Sequence, residues 1–213
     1  MNLAEALDAI AVRQLGCAGY EAVYGQMRRF SAARDARTPD ELWLVEHPPV
    51  YTLGQAGRPD HLLRPNGIAL VRADRGGQIT YHGPGQAVLY TLLDLARRGL
   101  GVGETVRRLE QAIVDLLCDY GVRGARRSGA PGVYVGEAKI AALGLRVRHG
   151  RCYHGLALNI DMDLSPFADV DPCGYPGMPV TQMADLGVRL PRSQIEEALI
   201  AHVMRQFGGG PAR

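Results

Sequence analysis

Apolar residues recur along this chain at two spacings, and the switches between them predict its elements. Tyr20, Val23, Met27 and Phe30 fall three or four apart, as on one face of a helix. Leu42-Trp43-Leu44-Val45 is a short apolar run closed by Pro48-Pro49, as expected of a strand, so the chain should open helix then strand. Val88 to Leu93 predicts another strand. Val106, Leu109, Ile113, Leu116, Leu117 and Tyr120 mark an amphipathic helix of about four turns. Gly121, tolerant of positive φ, suits its C-terminal stop. Three strands are expected next, at Val133 to Val135, Ile140 to Val147 and Tyr153 to Ile160, the first two as a hairpin. Ser193 and Glu196 have capping-box spacing ahead of Ile195, Leu199, Val203 and Phe207, which predicts a final helix. Gly208-Gly209-Gly210 should end it, leaving residues 208–213 as a frayed tail. Prolines at 166, 172, 176 and 179 forbid long regular structure between Asp161 and Leu190.

Helices flanking a run of strands, without βαβ alternation, indicate an α+β fold. With 213 residues and 46% hydrophobic content the chain can bury one substantial core, so a single domain over 1–213 is expected. A formal charge of +2 is too balanced for a general nucleic-acid binder, so partners must be met through local patches. The start, Met1 to Asp8, carries acids where a signal peptide would be apolar. No segment approaches the roughly 18 unbroken apolar residues of a membrane span, and a cytoplasmic location is expected. Cys17, Cys118, Cys152 and Cys173 lack CxxC spacing, which argues against a disulfide framework and a structural zinc site. Cys152 with His154 is one isolated pair and makes a weak case for metal.

The stretch Arg75 to Gln86 packs four glycines, a proline and a histidine between apolar runs, which suggests a loop built to lay backbone against a ligand. Arg75, Thr80 and His82 supply donors beside it. Cys173 lies among prolines and glycines in Asp171-Pro172-Cys173-Gly174-Tyr175-Pro176-Gly177, on a turn where a thiol is accessible, although a lone cysteine is more often inert filler. Lys139 stands among small residues where an apolar strand begins. An ammonium there can border a cavity and favour a nearby thiolate, and a solvated strand-edge lysine is the simpler reading. His82 and His154 are alternative bases for a thiol or satisfied core histidines. Arg123, Arg126, Arg127, Arg146, Arg148 and Arg151 make the middle of the chain locally basic; such runs are usually solvated faces, and their concentration around Lys139 suits docking of an acidic partner.

Four blocks resemble the lipoyl(octanoyl) transferase family: Trp43 to Gly54, Arg75 to Tyr90 with its RGGxxTYHGPGQ pattern, Gly132 to Gly150, and Tyr153 to Thr181 with YHGLALNID, DLSPF and PCGYPG. The resemblance implies a single domain with a central mixed sheet flanked by helices, like biotin and lipoate protein ligases. It implies that Cys173 is the thioester nucleophile and that Lys139 lowers its pKa and transfers protons. Acyl-substrate contacts would fall on Arg75, Gly76, Gly77, Gln78, Ile79, Thr80, Tyr81 and His82, on Ala142, Leu143 and Gly144, and on Gly155, Leu156 and Ala157, with support from His154. Glycine-rich backbone at Gly76, Gly77, Gly144 and Gly155 would line an acyl tunnel, and exposed N–H groups there would hold an oxyanion. The donor implied is octanoyl-acyl carrier protein. The acceptors are the lipoyl domains of 2-oxoacid dehydrogenase E2 subunits and the glycine-cleavage H protein. Neither ATP, metal nor another cofactor is implied, and the enzyme is expected to act as a monomer. The rival readings are an ATP-dependent lipoate protein ligase, which needs no cysteine nucleophile, and a non-catalytic acyl-carrier binding protein.

Overall fold

The computed structural model describes residues 10–171 and 178–208. Cys173 and its loop, 172–177, lie outside them, as do residues 1–9 and 209–213. A seven-stranded sheet is built from β1 (Ile10–Cys17), β2 (Asp40–Glu46), β6 (Gln86–Leu92), β7 (Ala125–Arg126), β8 (Gly132–Val135), β9 (Ala138–Arg148) and β10 (Arg151–Asn159). Their order is β1-β2-β6-β10-β9-β8-β7. β1 and β2 run parallel and the other neighbours antiparallel, so the sheet is mixed. A second sheet of three strands has β3 (Val50–Leu53) between β4 (Leu70–Arg72) and β5 (Ile79–His82).

Side-chain alternation along the central strands sorts two cores. Leu42, Leu44, Ala87, Leu89, Leu156 and Leu158 face α2 (Val102–Asp119) and α3 (Arg192–Phe207). Trp43, Val45, Val88, Tyr90 and Ala157 face Val23 and Met27 of α1 (Tyr20–Ala33) on the other side. With both faces covered, every residue of β6 is buried. Each such Leu or Val contributes about 1.5–3 kcal/mol of apolar burial, so the two-sided packing holds the sheet rigid under the cavity described below. No helix among the described residues is long and apolar enough to cross a membrane.

Three expectations need correction. The described chain opens with strand β1, ahead of the helix. Only Ile10 of its eight residues is buried, so β1 carries no apolar alternation to read. Ile79 to His82, taken as part of a shaped loop, is strand β5, and the loop proper is confined to the turns on either side of it. The final helix forms over Arg192–Phe207, but without a capping box. Pro191 is its N-cap with no side-chain cap hydrogen bond, Ser193 already lies inside the helix, and Glu196 accepts from Arg192 Nε at 2.6 Å. The strands at 88–93, 133–135, 140–147 and 153–160, the β8–β9 hairpin and the helix ended by Gly121, at φ 72°, form as the sequence predicts, within a residue or two at most boundaries. Between Asp161 and Leu190 the described regular structure is limited to 3-10 turns at Ser165–Asp169 and Ala184–Leu186.

Candidate active site

A cavity of about 280 Å³ brings the sequence-predicted blocks together. Arg75, Gly76, Gly77, Gln78, Ile79, Thr80 and His82 form one wall, Lys139, Ala142, Leu143 and Gly144 of β9 a second, and His154, Gly155, Leu156 and Ala157 of β10 a third. Of the predicted residues that are described, only Tyr81 stands outside the wall. Its ring packs against Tyr51 and Phe167, with centroids 5.6 and 5.5 Å away. Tyr20 of α1, Val102 and Val106 of α2, and Val170 and Met178 also line the cavity and escaped the sequence reading. Their membership depends on tertiary packing, and no local pattern marks it. Most of the lining is apolar.

The Arg75–Gln78 turn is held from two sides. Gly54, Gln55 and Ala56 donate backbone N–H groups to the carbonyls of Gln78, Arg75 and Gly77 at 2.9, 2.9 and 3.1 Å, while Gly76 N–H donates to Leu145 O at 2.8 Å. The Gly76 donor is therefore committed to β9, which corrects the expectation that it faces an oxyanion. Glycine is required at position 77 by its φ of 82°. A Cβ on Gly144 would stand 3.0 Å from Gly76 O and 3.1 Å from Arg75 Cδ, so the turn sits directly on β9. Arg75 is buried, and its guanidinium donates to neutral acceptors: Thr52 O at 2.6 Å, Thr52 Oγ1 at 2.8 Å and Gly76 O at 3.0 Å. Burial pushes its pKa down.

His82 and His154 are both buried in the wall and differ in what they bond. His82 has Nδ1 at 2.7 Å from Gln86 Oε1 and Nε2 at 3.4 Å from Thr52 Oγ1. Burial, with the nearby ring of His47, lowers its pKa to about 3, so it is neutral and poorly suited to deprotonate a thiol. His154 places Nε2 at 3.0 Å from Asp74 Oδ1, and its buried Nδ1 has no hydrogen-bond partner among the described residues. Burial holds His154 neutral against the pull of that carboxylate. Desolvation tends to raise the Asp74 pKa, but hydrogen bonds from His154, Tyr153 and Tyr24 outweigh it and keep the carboxyl ionised well below its usual range.

Lys139 is positioned by β8 and by the chain beyond the cavity. Its backbone N–H donates to Pro179 O at 2.8 Å and its carbonyl accepts from Thr181 N–H at 3.0 Å. Its Nζ lies 5.6 Å from the Tyr134 ring centroid, a cation–π contact. The aliphatic stem crosses Gly132, where a Cβ would meet Lys139 Cε at 2.5 Å. Lys139 thus borders the cavity, as one of its two sequence readings holds. Val170 and Met178, which flank in the chain the segment that contains Cys173, both line the cavity.

The other thiols are placed differently. Cys17 and Cys118 are exposed outside the wall, and Cys152 is buried in β10 with its pKa pushed up by burial to about 12. Among the described residues no group of three His, Cys, Asp or Glu is arranged to hold a metal ion.

The family profile described as lipoyl protein ligase A/B catalytic domain matches residues 20–204. The octanoyltransferase of Aromatoleum aromaticum is 59% identical over 197 residues, spanning 92% of this chain and 85% of the relative. That of Thiobacillus denitrificans is 60% identical over 197 residues, spanning 92% and 90%. Among solved structures, lipoate-protein ligase A bound with ATP superposes with a TM-score of 0.75 at 17% identity, covering 92% of this chain and 84% of that one. The biotin protein ligase of Aquifex aeolicus with biotin and ATP gives 0.56 at 9%, covering 93% and 69%. At such identities the structures speak for the fold, a mixed sheet flanked by helices, while the relatives speak for the family. The chain belongs to the lipoyl protein ligase A/B catalytic domain family, and within it is similar to the octanoyltransferases.

Proposed function

We propose that octanoyl transfer, the activity of the relatives this chain resembles, proceeds here through a thioester on Cys173. The donor is octanoyl-acyl carrier protein, and the acceptor is a lysine of a lipoyl domain, of an E2 subunit or of the glycine-cleavage H protein. The observation that supports the reading is that Lys139 lines a largely apolar cavity together with Val170 and Met178, the lining residues that flank Cys173 in the chain. The Cys173 thiolate attacks the donor carbonyl, a carbon–sulfur bond forms, and the carrier thiolate leaves with a proton from the Lys139 ammonium. The acceptor amine then attacks the new thioester. An amide forms, the Cys173 thiolate departs, and the proton lost by the amine returns to Lys139. Arg75 and its turn close the cavity around the acyl chain without supplying a reacting group.

A thioester is already activated, so this route needs no ATP. The experiment is intact mass of the protein after incubation with octanoyl carrier protein, with and without ATP. The expected result is one octanoyl group per chain, independent of ATP and absent from Cys173→Ser. Strict dependence on ATP with free octanoate or lipoate as donor would replace this reading with the ligase, and tight binding without covalent capture would leave an acyl-carrier binding protein.

A further inference from the structure

A groove of about 570 Å³ separate from the acyl cavity lies between α1 and the turn joining β9 to β10. Arg28 and Arg29 of α1 face Arg148, His149 and Arg151 at the turn across it, with Tyr153 on the wall, and among the described residues no Asp or Glu lines it. Several other arginines of this chain are gathered on carboxylates: Arg34, Arg97 and Arg98 on Asp40, Arg107 and Arg108 on Glu104. None of the four groove arginines is in an ion pair among the described residues. The whole chain carries +2, so these four leave a net −2 for everything else. Gly25 and Ala32, seven residues apart, keep that face of α1 low over about 10 Å of helix. A recess lined by forked guanidinium groups recognises carboxylates in pairs.

We infer that this groove seats the carboxylate-rich face of the protein donor in the acyl transfer, an inference that rests on the carrier-protein reading above. The position favours the donor over the acceptor. Arg148 lies nine residues along β9 from Lys139, about 30 Å in an extended strand. A partner that delivers its acyl group on a long flexible arm can rest its body that far from the reacting atoms. An acceptor that presents an amine on one lysine side chain must sit at the cavity itself. Arg146, which the sequence grouped with Arg148, is engaged with Gln55 Oε1 at 3.0 Å and is outside the groove. Arg28 and Arg29, remote in sequence, take its place.

The test compares the wild-type chain with Arg28→Glu/Arg148→Glu and with Arg205→Glu, an exposed arginine of α3 on the opposite face of the sheet. Calorimetric binding of the carrier protein at low salt reads docking without requiring transfer. Steady-state transfer from octanoyl carrier protein and from uncharged octanoyl-pantetheine reads its kinetic share. The expected result is at least tenfold weaker binding and a matching rise in KM for the carrier in the double variant. The KM for octanoyl-pantetheine should stay unchanged, the Arg205 variant should behave as wild type, and added salt should erase the difference. Unchanged carrier binding, equal effects on both donors, or a rise confined to the KM for the lipoyl domain would overturn the inference. Thermal melting checks that the double variant folds, and Arg28→Gln/Arg148→Gln should show an intermediate loss of binding if it does not. A wild-type protein that binds the carrier but transfers from neither donor would retain the groove and sink the transferase reading.

Discussion

Asp74 Oδ1 and His154 Nε2 lie 3.0 Å apart, and this contact decides which nitrogen of the imidazole carries the proton. An ionised carboxylate only accepts, so Nε2 is the donor and Nδ1 is left as a lone pair in the cavity wall to which no described residue donates. His154 also holds φ at 63°, a left-handed conformation that a non-glycine residue adopts only when its surroundings insist. Tyr153 donates to the second oxygen of Asp74, and Arg75 follows Asp74 in the chain. The pair therefore ties β10 to the start of the Arg75–Gln78 turn.

Asp74→Asn removes the charge and one acceptor while keeping the shape. It should lower stability by about 2 kcal/mol, the worth of hydrogen bonds to a charged group, read as a shift in the urea midpoint. The KM for octanoyl donors should rise more than kcat falls, because the turn loosens without loss of a reacting group. An unchanged midpoint would mean that Tyr153 and His154 find other partners.

Stability should also decline in mild acid through the buried histidines. His82 in the folded chain has a pKa of about 3 against an ordinary 6.5. Above pH 6.5 both states are neutral there and the contribution is complete. Below it the unfolded chain binds a proton that the folded chain refuses, so stability falls by up to about 1.4 kcal/mol per pH unit per such histidine until the folded value is reached. Burial pushes His47 and His154 in the same direction. Urea titrations between pH 8 and pH 4 should show the decline, and His82→Gln should flatten it by one histidine's share. A profile with the same slope in the variant would assign the acid sensitivity elsewhere.

Asp40, the first residue of β2, carries a third test. Its side chain is fully buried and accepts from Arg34 at 2.5 Å, Arg97 at 2.7 Å and Arg98 at 2.5 Å. Arg34 is likewise fully buried, so Asp40→Asn strands a guanidinium without its counter-charge. The cost should be about 3–5 kcal/mol, seen in thermal or urea unfolding. Asp40→Asn with Arg34→Met should recover part of it, since an apolar pair removes the uncompensated charge.

The strands and helices legible in the sequence are those whose burial follows their period. β6 and β10 lie in the middle of the sheet, and α2 shows one apolar face, so spacing alone located them. β1 is an edge strand with one buried residue, and β5 was hidden because glycines on both sides made its four residues look like loop. The chemistry was legible by resemblance more than by pattern. Nothing in the run GEAKIAALG separates a cavity lysine from a surface one. The distinction comes from Gly132, Tyr134 and Pro179, which meet Lys139 only in the folded chain. The groove arginines were half seen, because Arg148 and Arg151 are neighbours in sequence and Arg28 and Arg29 join them through packing of α1.

Lys139 and Cys173 carry the last prediction. If the Lys139 ammonium stabilises the Cys173 thiolate, its removal must raise the thiol pKa, each pKa unit corresponding to about 1.4 kcal/mol. Lys139→Ala should therefore move the pH profile of Cys173 alkylation by iodoacetamide upward and slow acyl-enzyme formation. Cys152 should contribute nothing to the profile in either protein, because its burial and raised pKa keep it closed to the reagent. Cys17 and Cys118 are exposed, so the measurement is made on peptides containing Cys173. Lys139→Arg separates the two roles of the lysine. A guanidinium keeps the charge and restores part of the alkylation profile, but it does not give up its proton, so transfer to the acceptor should stay slow. His82 offers no substitute, being neutral and bonded to Gln86, and His154 spends its proton on Asp74. An alkylation profile and transfer rate both unchanged in Lys139→Ala would remove the lysine from the mechanism and return the question of what activates the thiol to Nδ1 of His154.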